Sequence, residues 1–554
     1  MISPIHASIE IRSGQPTLCL QGEPELPLLY GLTDSPGSRW TWEEVPTRNI
    51  QLFSAQGLRL FQFDLWLDQI LSPSGEMDIR LAQKQIRGVL DAAPGSAVMI
   101  RFHVTAPPWW CDKNPEECVG YADTHPDPEN PFGLIRPLAR DLERPLRASF
   151  FSPLWTQEGG DYLKEFCQKL AATEEGGAVF SIQFANGTYG EWHQYGFLNF
   201  EPDTGGVAQK EFRKYLKTKY SELRQLNATW GTNYSDWESI SVPSLPERKG
   251  VALDDLLDLE RQRPVLEYYQ WTQESIADLV LNWGTIIKTQ WPRPIITATF
   301  FGYFFSAFGR MAQCGHLAFE KLLQSPAVDA LCAPQSYREA ARSMGGTGQS
   351  RGLIGPVVRA GKLWLDEMDE STSLGGCPWF PEASTAGVEE DIVKLRRNVL
   401  QPFTRGGGLW YYDFGPNTAT VEFATYGVRG AWDDPALAAE TKKLVNLMRQ
   451  YESKPTPRMA DVLVIHDPRS LRYLSTPPIP KEEMTGAYIY GVRDPVTLHS
   501  IDELSEGLHR SGLIHEEALL SEFQQLDLTP YKLLIFATAL CISPEKRSQI
   551  QEAL

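Results

Sequence analysis

The chain has 554 residues, of which 42% are apolar, and it carries a formal net charge of −18. This length predicts two or three domains with large cores. The acidic balance excludes the basic surface that nucleic-acid or anionic-membrane binding requires, so we expect neither partner, and a neutral substrate suits the chain better.

The N-terminal segment and the cysteines indicate a cytoplasmic protein. MISPIHASIEIRSG lacks a basic flank followed by an apolar run, so we expect no signal peptide. No apolar stretch approaches the roughly 18 residues of a membrane helix. The eight cysteines are scattered, without a disulfide framework or a CxxC metal pattern. We therefore expect reduced thiols, no metal and no cofactor.

Eight short apolar, β-favouring runs recur up to about residue 415, with helical patterns in most of the intervals. A predicted hairpin with a Ser-Gly turn, residues 9–22, precedes them. Strands that alternate with helices indicate βαβ units, and eight such units predict a closed (β/α)8 TIM barrel over residues 1–455. The predicted strands are residues 28–34, 58–67, 97–104, 178–184, 294–301, 327–334, 362–368 and 408–414.

A second unit, residues 456–554, follows a proline-containing and charged break at residues 451–462. Its pattern is that of a doubly wound α/β fold with too few strands to be complete. We expect either an unusually small domain or a fragment of a longer protein. Its predicted elements are strand 460–466, helix 500–512, strand 531–539 and helix 543–554.

Acidic residues lie at or just past several predicted strands, where barrel active sites form. A retaining glycosidase needs two carboxyls about 5–5.5 Å apart, and an inverting one needs a wider gap for water. The ends of the fourth and seventh strands face each other across the barrel mouth, which makes Glu191 and Glu367 plausible partners. The alternative for each is a solvated surface charge. The acids are Asp64, Asp68, Glu191, Asp366, Glu367, Asp369, Glu370 and Asp413.

The two carboxylates have different sequence surroundings. Glu191 lies in GTYGEWHQYG between aromatic residues, and an aromatic wall raises the pKa of a carboxyl, as a general acid requires. Glu367 lies in WLDEMDEST among other acids. A nucleophile must stay ionised, so we expect Arg, Tyr or His donors to reach Glu367 from other loops.

Other side chains near the strand ends are candidate sugar ligands, with core packing or a structural hydrogen bond as the alternative. Aromatic rings suit the apolar faces of sugars. Tyr337 is a candidate donor to the nucleophile, and His103 and His193 are candidates for orienting a carboxylate. The full set is Trp109, Trp110, His103, Asn186, Trp192, His193, Tyr337, Trp364, Trp410 and Asp413.

Several segments have distinctive sequences, namely PPWW after the third strand, LNATWGTNYSDW (226–237), KLWLDEMDEST (362–372) and KLLIFATALCISPEKRSQI (532–550). Together they resemble the clan-A glycoside hydrolases, and most of all the family 42 β-galactosidases. The resemblance covers nearly the whole chain and implies a catalytic barrel followed by a flavodoxin-like trimerisation domain, hence a homotrimer. It also implies that Glu191 is the acid/base and Glu367 the nucleophile, with net retention.

Two features depart from the family pattern. Clan-A acid/bases usually follow an asparagine, whereas Gly190 precedes Glu191 and the nearest asparagine is Asn186. The cysteine cluster that binds zinc in some members is absent from residues 197–212. These changes lie around the sugar-binding subsite and bear on the glycone.

The sequence thus predicts a retaining, exo-acting β-glycosidase that resembles the β-galactosidases. Two alternatives stay open: a β-glycosidase with another glycone (glucoside, mannoside, fucoside or uronide), and a non-catalytic carbohydrate-binding protein on a hydrolase fold. A lyase or isomerase would need metal or phosphate ligands at the strand ends, and neither an HxH or HxD pattern nor a phosphate-binding glycine motif is present there.

Overall fold

A closed barrel of eight parallel strands confirms the predicted fold class. Its first strand, β4, pairs with β5 on one side and with β11 on the other, which closes the ring. The strands are β4 (Leu28–Leu32), β5 (Leu60–Trp66), β6 (Ala97–His103), β7 (Val179–Ala185), β8 (Ile296–Phe300), β9 (Ala330–Pro334), β10 (Leu363–Met368) and β11 (Gly408–Asp413). The computed structural model describes residues 2–32, 40–121, 146–197, 201–250, 256–305, 310–370, 372–374, 385–413, 431–452, 454, 460–475 and 495–554.

The predicted hairpin precedes the barrel as β1 (Ala7–Arg12) and β2 (Gln15–Leu20), which pair antiparallel, followed by the short β3 (Glu23–Pro24). Its turn residues Ser13 and Gly14 both have positive φ, 51° and 79°. A two-residue turn of this hand matches the right-handed twist of the strands it joins.

Helices fill the intervals between the barrel strands. The helix predicted to begin at residue 161 begins earlier, at Pro153, and the helical region predicted from about residue 253 is described from Arg263 onward. The barrel-unit helices are α1 (Glu44–Ala55), α2 (Leu67–Ile70), α3 (Arg80–Ala92), α4 (Pro108–Lys113), α5 (Pro153–Ala171), α6 (Gly206–Tyr220), α7 (Leu223–Trp230), α8 (Arg263–Gln290), α9 (Met311–Cys314), α10 (Phe319–Leu323), α11 (Glu339–Arg342), α12 (Ile354–Arg359), α13 (Val388–Thr404) and α14 (Pro435–Tyr451).

Every residue of β5, β6, β7, β10 and β11 is buried. Side chains alternate along a strand, so one set fills the barrel interior and the other packs under the helices. Apolar side chains cover most of both faces, and a charged side chain within such a strand must therefore find its partner inside the protein.

The second unit contains a parallel sheet in the order β13-β12-β14, formed by β12 (Val462–His466), β13 (His515–Leu519) and β14 (Leu533–Phe536). The sequence analysis missed β13 because its segment, HEEAL, carries two adjacent acids. One of them, Glu517, is buried and accepts two hydrogen bonds from Arg405 Nη1, at 2.6 and 2.9 Å. A π-helix (Val496–Glu503) leads into α15 (Leu504–Ser511), and α16 (Pro544–Ala553) follows β14.

The second unit contacts the loop that follows β9, the sixth barrel strand. Arg338 in that loop pairs with Glu506 of α15, and Gln349 Nε2 donates to Ser505 Oγ at 2.7 Å. The predicted boundary at residues 455–456 lies outside the described residues and stays a prediction. No helix in the described ranges is both long and apolar enough to cross a bilayer.

Gly352 tests the packing under β10, because a Cβ there would lie 1.8 Å from Trp364 Cη2. Gly352→Ala must therefore displace a buried indole, and we expect it to lower the free energy of unfolding by about 1–3 kcal/mol, measured by urea unfolding. The control is Gly387→Ala, where nothing lies within 4 Å of the added Cβ. Equal stability of the two variants would contradict the packing described.

Candidate active site

Glu367 lies on β10 beside Trp410 of β11, with its side chain on the inner face of the barrel. It is 4% exposed. Arg101, which reaches it from β6, donates from Nη2 to Glu367 Oε2 at 2.5 Å. The expected donor to Glu367 is therefore an arginine, supplied by a strand and not by a loop.

Arg101 is fully enclosed by polar and aromatic partners. Its Nε lies 3.2 Å from Asp64 Oδ1, and its Nη1 lies 3.2 Å from the hydroxyl of Tyr412. The guanidinium carbon is 4.7 Å from the ring centre of Phe300 and 5.4 Å from that of Trp410. One buried cation thus joins two carboxylates and three aromatic rings inside the barrel.

Trp410 is buried at the same level as Glu367 on the neighbouring strand. Its indole Nε1 has no hydrogen-bond partner among the described residues. A buried donor of this kind is satisfied when a ligand hydroxyl reaches it. The structure therefore brings Trp410 to the site.

Glu191 does not follow β7 directly, because residues 187–190 form a loop that returns the chain to the strand end. Asn186, the first residue after β7, forms a bridge with Glu191, and its carbonyl accepts a hydrogen bond from Trp192 N at 2.7 Å. The Asn186 side chain accepts from the Tyr195 hydroxyl at 3.1 Å. The asparagine that is missing before Glu191 in sequence is thus its neighbour in space.

Only glycine fits at position 190. Its φ is 75°, and a Cβ there would lie 2.8 Å from His103 and 3.2 Å from Ala185 Cβ. His103 stacks on Trp66 with 3.8 Å between ring centres, and its Nε2 lies 3.6 Å from Asp64 Oδ1. His103 therefore packs against the loop of Glu191 at Gly190, and it shares Asp64 as a neighbour with Arg101.

Both carboxyls bind protons more tightly than an exposed glutamate. Burial raises the pKa of Glu191 to about 7, the charges of Arg351 and Arg101 lower it, and Asp369 raises it. Burial also raises the pKa of Glu367 to about 8 against the opposing guanidinium of Arg101, and Glu191 and Asp369 add to the increase. The sequence analysis expected a raised pKa for Glu191 alone. The contribution of Glu191 to the pKa of Glu367 shows that Glu367 lies within the field of the Glu191 carboxyl.

His193 lies beside Glu191, with 3.5 Å between His193 Nε2 and Glu191 Oε2. Burial and the charge of Arg351 hold the pKa of His193 well below its usual value, so the imidazole is neutral. The structure brings His193 to the site as an uncharged neighbour of the carboxyl.

The acids around Glu367 each have their own partners. Tyr337 donates to Asp369 Oδ2 at 2.7 Å, and not to Glu367 as the sequence analysis proposed. Arg342 also pairs with Asp369, and Lys394 Nζ lies 2.6 Å from Glu370 Oε1. These pairings leave Arg101 as the cation in contact with Glu367.

Trp364 and Asp413 are not brought to the site. Alternation along a strand places Trp364 and Glu367, three residues apart, on opposite faces, and the indole of Trp364 donates to Asp366 Oδ1 at 2.7 Å. Asp413 is likewise three residues from Trp410, and its Oδ2 accepts from the Tyr30 hydroxyl at 2.5 Å. Both side chains stabilise the outer face of the barrel.

Trp192 packs away from the carboxyl that precedes it. Its indole donates to Thr299 Oγ1 at 2.8 Å and lies edge-on to Trp283 at 5.6 Å. The side chain is fully buried, so the aromatic cluster expected around Glu191 is core behind the loop. The pKa of Glu191 is therefore raised by its burial in the protein, and not by a surrounding wall of aromatic rings.

Trp109 and Trp110 lie in α4, after β6. Trp110 is 1% exposed, its indole donates to Glu158 Oε2 at 2.6 Å, and it packs edge-on against Trp155 at 4.9 Å. These contacts make Trp110 a packing residue. Trp109 is half-buried against the same core.

The sequence analysis missed Arg101, Arg351 and Tyr303. In AVMIRFHV the arginine interrupts an apolar strand two residues before His103, so both point inward, and this signal could have found Arg101. Arg351 is buried with its guanidinium 4.5 Å from the ring centre of Tyr303, and both groups act on Glu191. They come from loops, and no local pattern marks them.

Residues 194–451 match the model of glycoside hydrolase family 42, described as Beta-galactosidase. Over that segment the chain is similar to the family 42 glycoside hydrolases. The matched segment contains Glu367 and begins just after Glu191, whose loop departs from the family pattern. The resemblance predicted from the sequence is confirmed, and it supports a glycoside hydrolase.

Two further comparisons give a short related segment and a shared fold. A 98-residue segment is 31% identical to Beta-galactosidase bgaB of Geobacillus kaustophilus, over 17% of this chain and 13% of that relative. The crystal structure of β-galactosidase from Bacillus circulans sp. alkalophilus shares the fold, with a TM-score of 0.63, 13% identity, and coverage of 96% of this chain and 69% of that one. The crystal structure of β-galactosidase from the psychrophilic Marinomonas ef1 has a TM-score of 0.64 and 14% identity, with coverage of 95% of this chain and 74% of that one.

Arg101→Leu removes the buried cation and leaves Glu367 without its partner. We expect the free energy of unfolding at pH 7 to fall by about 3–5 kcal/mol, measured by urea unfolding. The pKa of Glu367, already raised, rises further in the variant. Stability from a raised carboxyl pKa is present below the unfolded value and is lost as pH rises toward the folded value of about 8, so the deficit should be larger above pH 8 than below pH 7.

The control for that experiment is Arg12→Leu, which breaks a pair with Glu10 at 3.0 Å on the partly exposed hairpin. Exposed pairs contribute little to stability, so this variant should unfold like the wild type. A deficit for Arg101→Leu that is independent of pH would indicate lost packing and not a lost ion pair.

Proposed function

We propose that the protein is a retaining, exo-acting β-glycosidase of the β-galactosidase type. The observation that carries this proposal is the pair of buried carboxyls at the barrel mouth, Glu191 and Glu367, with Glu367 within the field of Glu191. Only Glu367 of the two is ion-paired to Arg101. This asymmetry supports a nucleophile that stays ionised and an acid that stays protonated.

In the first step, a Glu367 oxygen attacks the anomeric carbon of the substrate. Glu191 gives its proton to the glycosidic oxygen, the bond from the anomeric carbon to that oxygen breaks, and the aglycone leaves as an alcohol. Burial keeps a proton on Glu191 near neutral pH. The guanidinium of Arg101 keeps the charge on Glu367 until the new bond forms.

In the second step, Glu191 is a carboxylate and removes a proton from water. The water oxygen attacks the anomeric carbon, the bond to Glu367 breaks, and the sugar leaves with its original β-configuration. Arg101 then stabilises the carboxylate that Glu367 regains. The neighbouring His193 does not compete for this proton, because its pKa is held well below the usual value.

A terminal β-galactoside is our first substrate, and the names of the matched relatives support this choice. The buried Trp410 Nε1 donor beside Glu367 supports a hydrogen bond from Trp410 to a sugar hydroxyl. β-Glucosides, β-mannosides, β-fucosides and β-glucuronides are the competing glycones.

We further propose a homotrimer in the cytoplasm. The trimer rests on the resemblance of residues 532–550 to the trimerisation domain of family 42. The cysteines within the described ranges are free thiols, which supports a reducing compartment.

Glu191→Gln and Glu367→Gln test the proposal on a panel of aryl β-glycosides. We expect Glu367→Gln to lower kcat by at least about 10⁴-fold, since the nucleophile is lost. Glu191→Gln should lower it by about 10²–10⁴-fold with poor leaving groups. NMR of the first-formed sugar anomer reports retention, and an inverted product would contradict the role of Glu367.

The matched control is Asp366→Asn, an equally buried acid that faces the opposite side of β10. Its kcat should stay within about threefold of the wild-type value, because a substitution that does not touch the reacting groups acts through stability alone. An inactive wild type across the whole panel would favour a non-catalytic carbohydrate-binding protein.

The pH dependence follows from the shared proton. The two carboxyls interact, so the values of about 7 and about 8 are the titration steps of the pair, and the singly protonated form is most populated between them. Contact with Arg101 keeps the charge on Glu367 and leaves the proton on Glu191 in that form. We expect a bell-shaped profile of kcat/KM with its maximum between pH 7 and 8. Glu191→Gln, assayed with an activated leaving group, should lose the alkaline limb. A wild-type optimum near pH 5 would contradict these protonation states.

A further inference from the structure

The loop that carries Glu191 has an unusual backbone. Gly187, Tyr189 and Gly190 have φ of 81°, 60° and 75°, and Trp192 has φ of 59°. Two of these four residues are not glycine, and a positive φ is unfavourable for a bulky side chain. The position of Glu191 therefore depends on contacts from outside the loop.

Residues 313–316, between β8 and α10, supply those contacts, and we call them the clamp. Gln194 N donates to Cys314 O at 3.3 Å, and Gln194 Nε2 donates to Gln313 O at 3.0 Å. His316 Nε2 bonds to the backbone carbonyl of Glu191 at 2.7 Å. The clamp thus holds the chain at Glu191 itself and three residues beyond it.

The surroundings of His316 fix how it donates. Tyr303 N donates to His316 Nδ1 at 3.3 Å, so the ring proton lies on Nε2, which faces Glu191 O. The imidazole stacks between Phe301, at 4.7 Å, and His193, at 4.4 Å. The ring is 1% exposed. Tautomer and orientation are both set for a single bond to the main chain of Glu191.

We propose that His316 is a positioning residue for the acid/base, acting through the main chain of Glu191 and not on the substrate. This inference rests on the proposed function. Proton transfer to the glycosidic oxygen requires the Glu191 carboxyl within hydrogen-bond reach, and a displacement of about 1 Å costs on the order of 10²-fold in rate. The clamp adds a second attachment to the bridge with Asn186, by which the loop returns Glu191 to the end of β7.

Two substitutions of His316 separate the hydrogen bond from the packing. His316→Phe keeps a stacked ring but removes the N–H donor. His316→Gln places an amide N–H near the position of Nε2 and keeps the donor. The readout is kcat/KM for a phenyl β-glycoside, whose leaving group needs a proton, and for the 2,4-dinitrophenyl β-glycoside, whose leaving group does not.

We expect His316→Phe to lower kcat/KM for the phenyl substrate by about 10²-fold and to change it only a few-fold for the dinitrophenyl substrate. His316→Gln should recover most of the loss. An equal loss on both substrates, or the same loss in both variants, would indicate a merely structural residue and overturn the proposal.

Hydrogen–deuterium exchange provides a measurement independent of activity. His316→Phe should accelerate exchange in the peptide containing residues 187–194, and His316→Gln should not. A wild type that hydrolyses no aryl glycoside would refute the proposed function, and the clamp would then be judged by exchange alone. Unchanged exchange in His316→Phe would refute the clamp even in an active enzyme.

Discussion

The buried guanidinium of Arg101 is the interaction on which the site depends. A carboxylate moved from water into a protein interior loses several kcal/mol of solvation unless a cation and hydrogen bonds replace the water. Arg101 supplies both to Glu367 and also contacts Asp64. Without it, burial would hold an acid at this level of the barrel in its neutral form.

The placement of that cation also makes the two glutamates unequal. Burial raises the pKa of both, and Glu191 adds to the increase at Glu367, so the pair retains protons in a pH range where exposed carboxyls have lost them. Contact with Arg101 favours the charge on Glu367, and Glu191 has the neutral His193 as its neighbour. The division into a charged and a neutral carboxyl therefore follows from which one touches the arginine.

Periodicity made the barrel predictable, because each strand is a short apolar run bounded by helical patterns. It also located Glu191 and Glu367, since both follow or end such runs. The errors have physical reasons. Trp364 was proposed for the site although its three-residue offset from Glu367 on one strand places the two on opposite faces. β13 escaped detection because a buried ion pair replaced the apolar residues that mark a strand.

Tertiary contacts account for what the sequence could not provide. The return of residues 187–190 to the end of β7 places Asn186 beside Glu191, and linear spacing alone conceals this. Gly190 marks the place, since only a residue without a Cβ fits over His103, but the identity of that partner requires the fold. Arg351 and His316 arrive on separate loops whose meeting point no local pattern encodes.

The contact between the second unit and the loop after β9 joins the second unit to the side of the barrel that holds Glu191. That loop carries Tyr337 and Arg351, which contact Asp369 and act on Glu191, and the second unit holds it through Glu506 and Ser505. Thermodynamic linkage is reciprocal. A ligand that orders this wall of the barrel must also tighten the docking of the second unit, and loosening of the docked unit must weaken the ligand by the same factor.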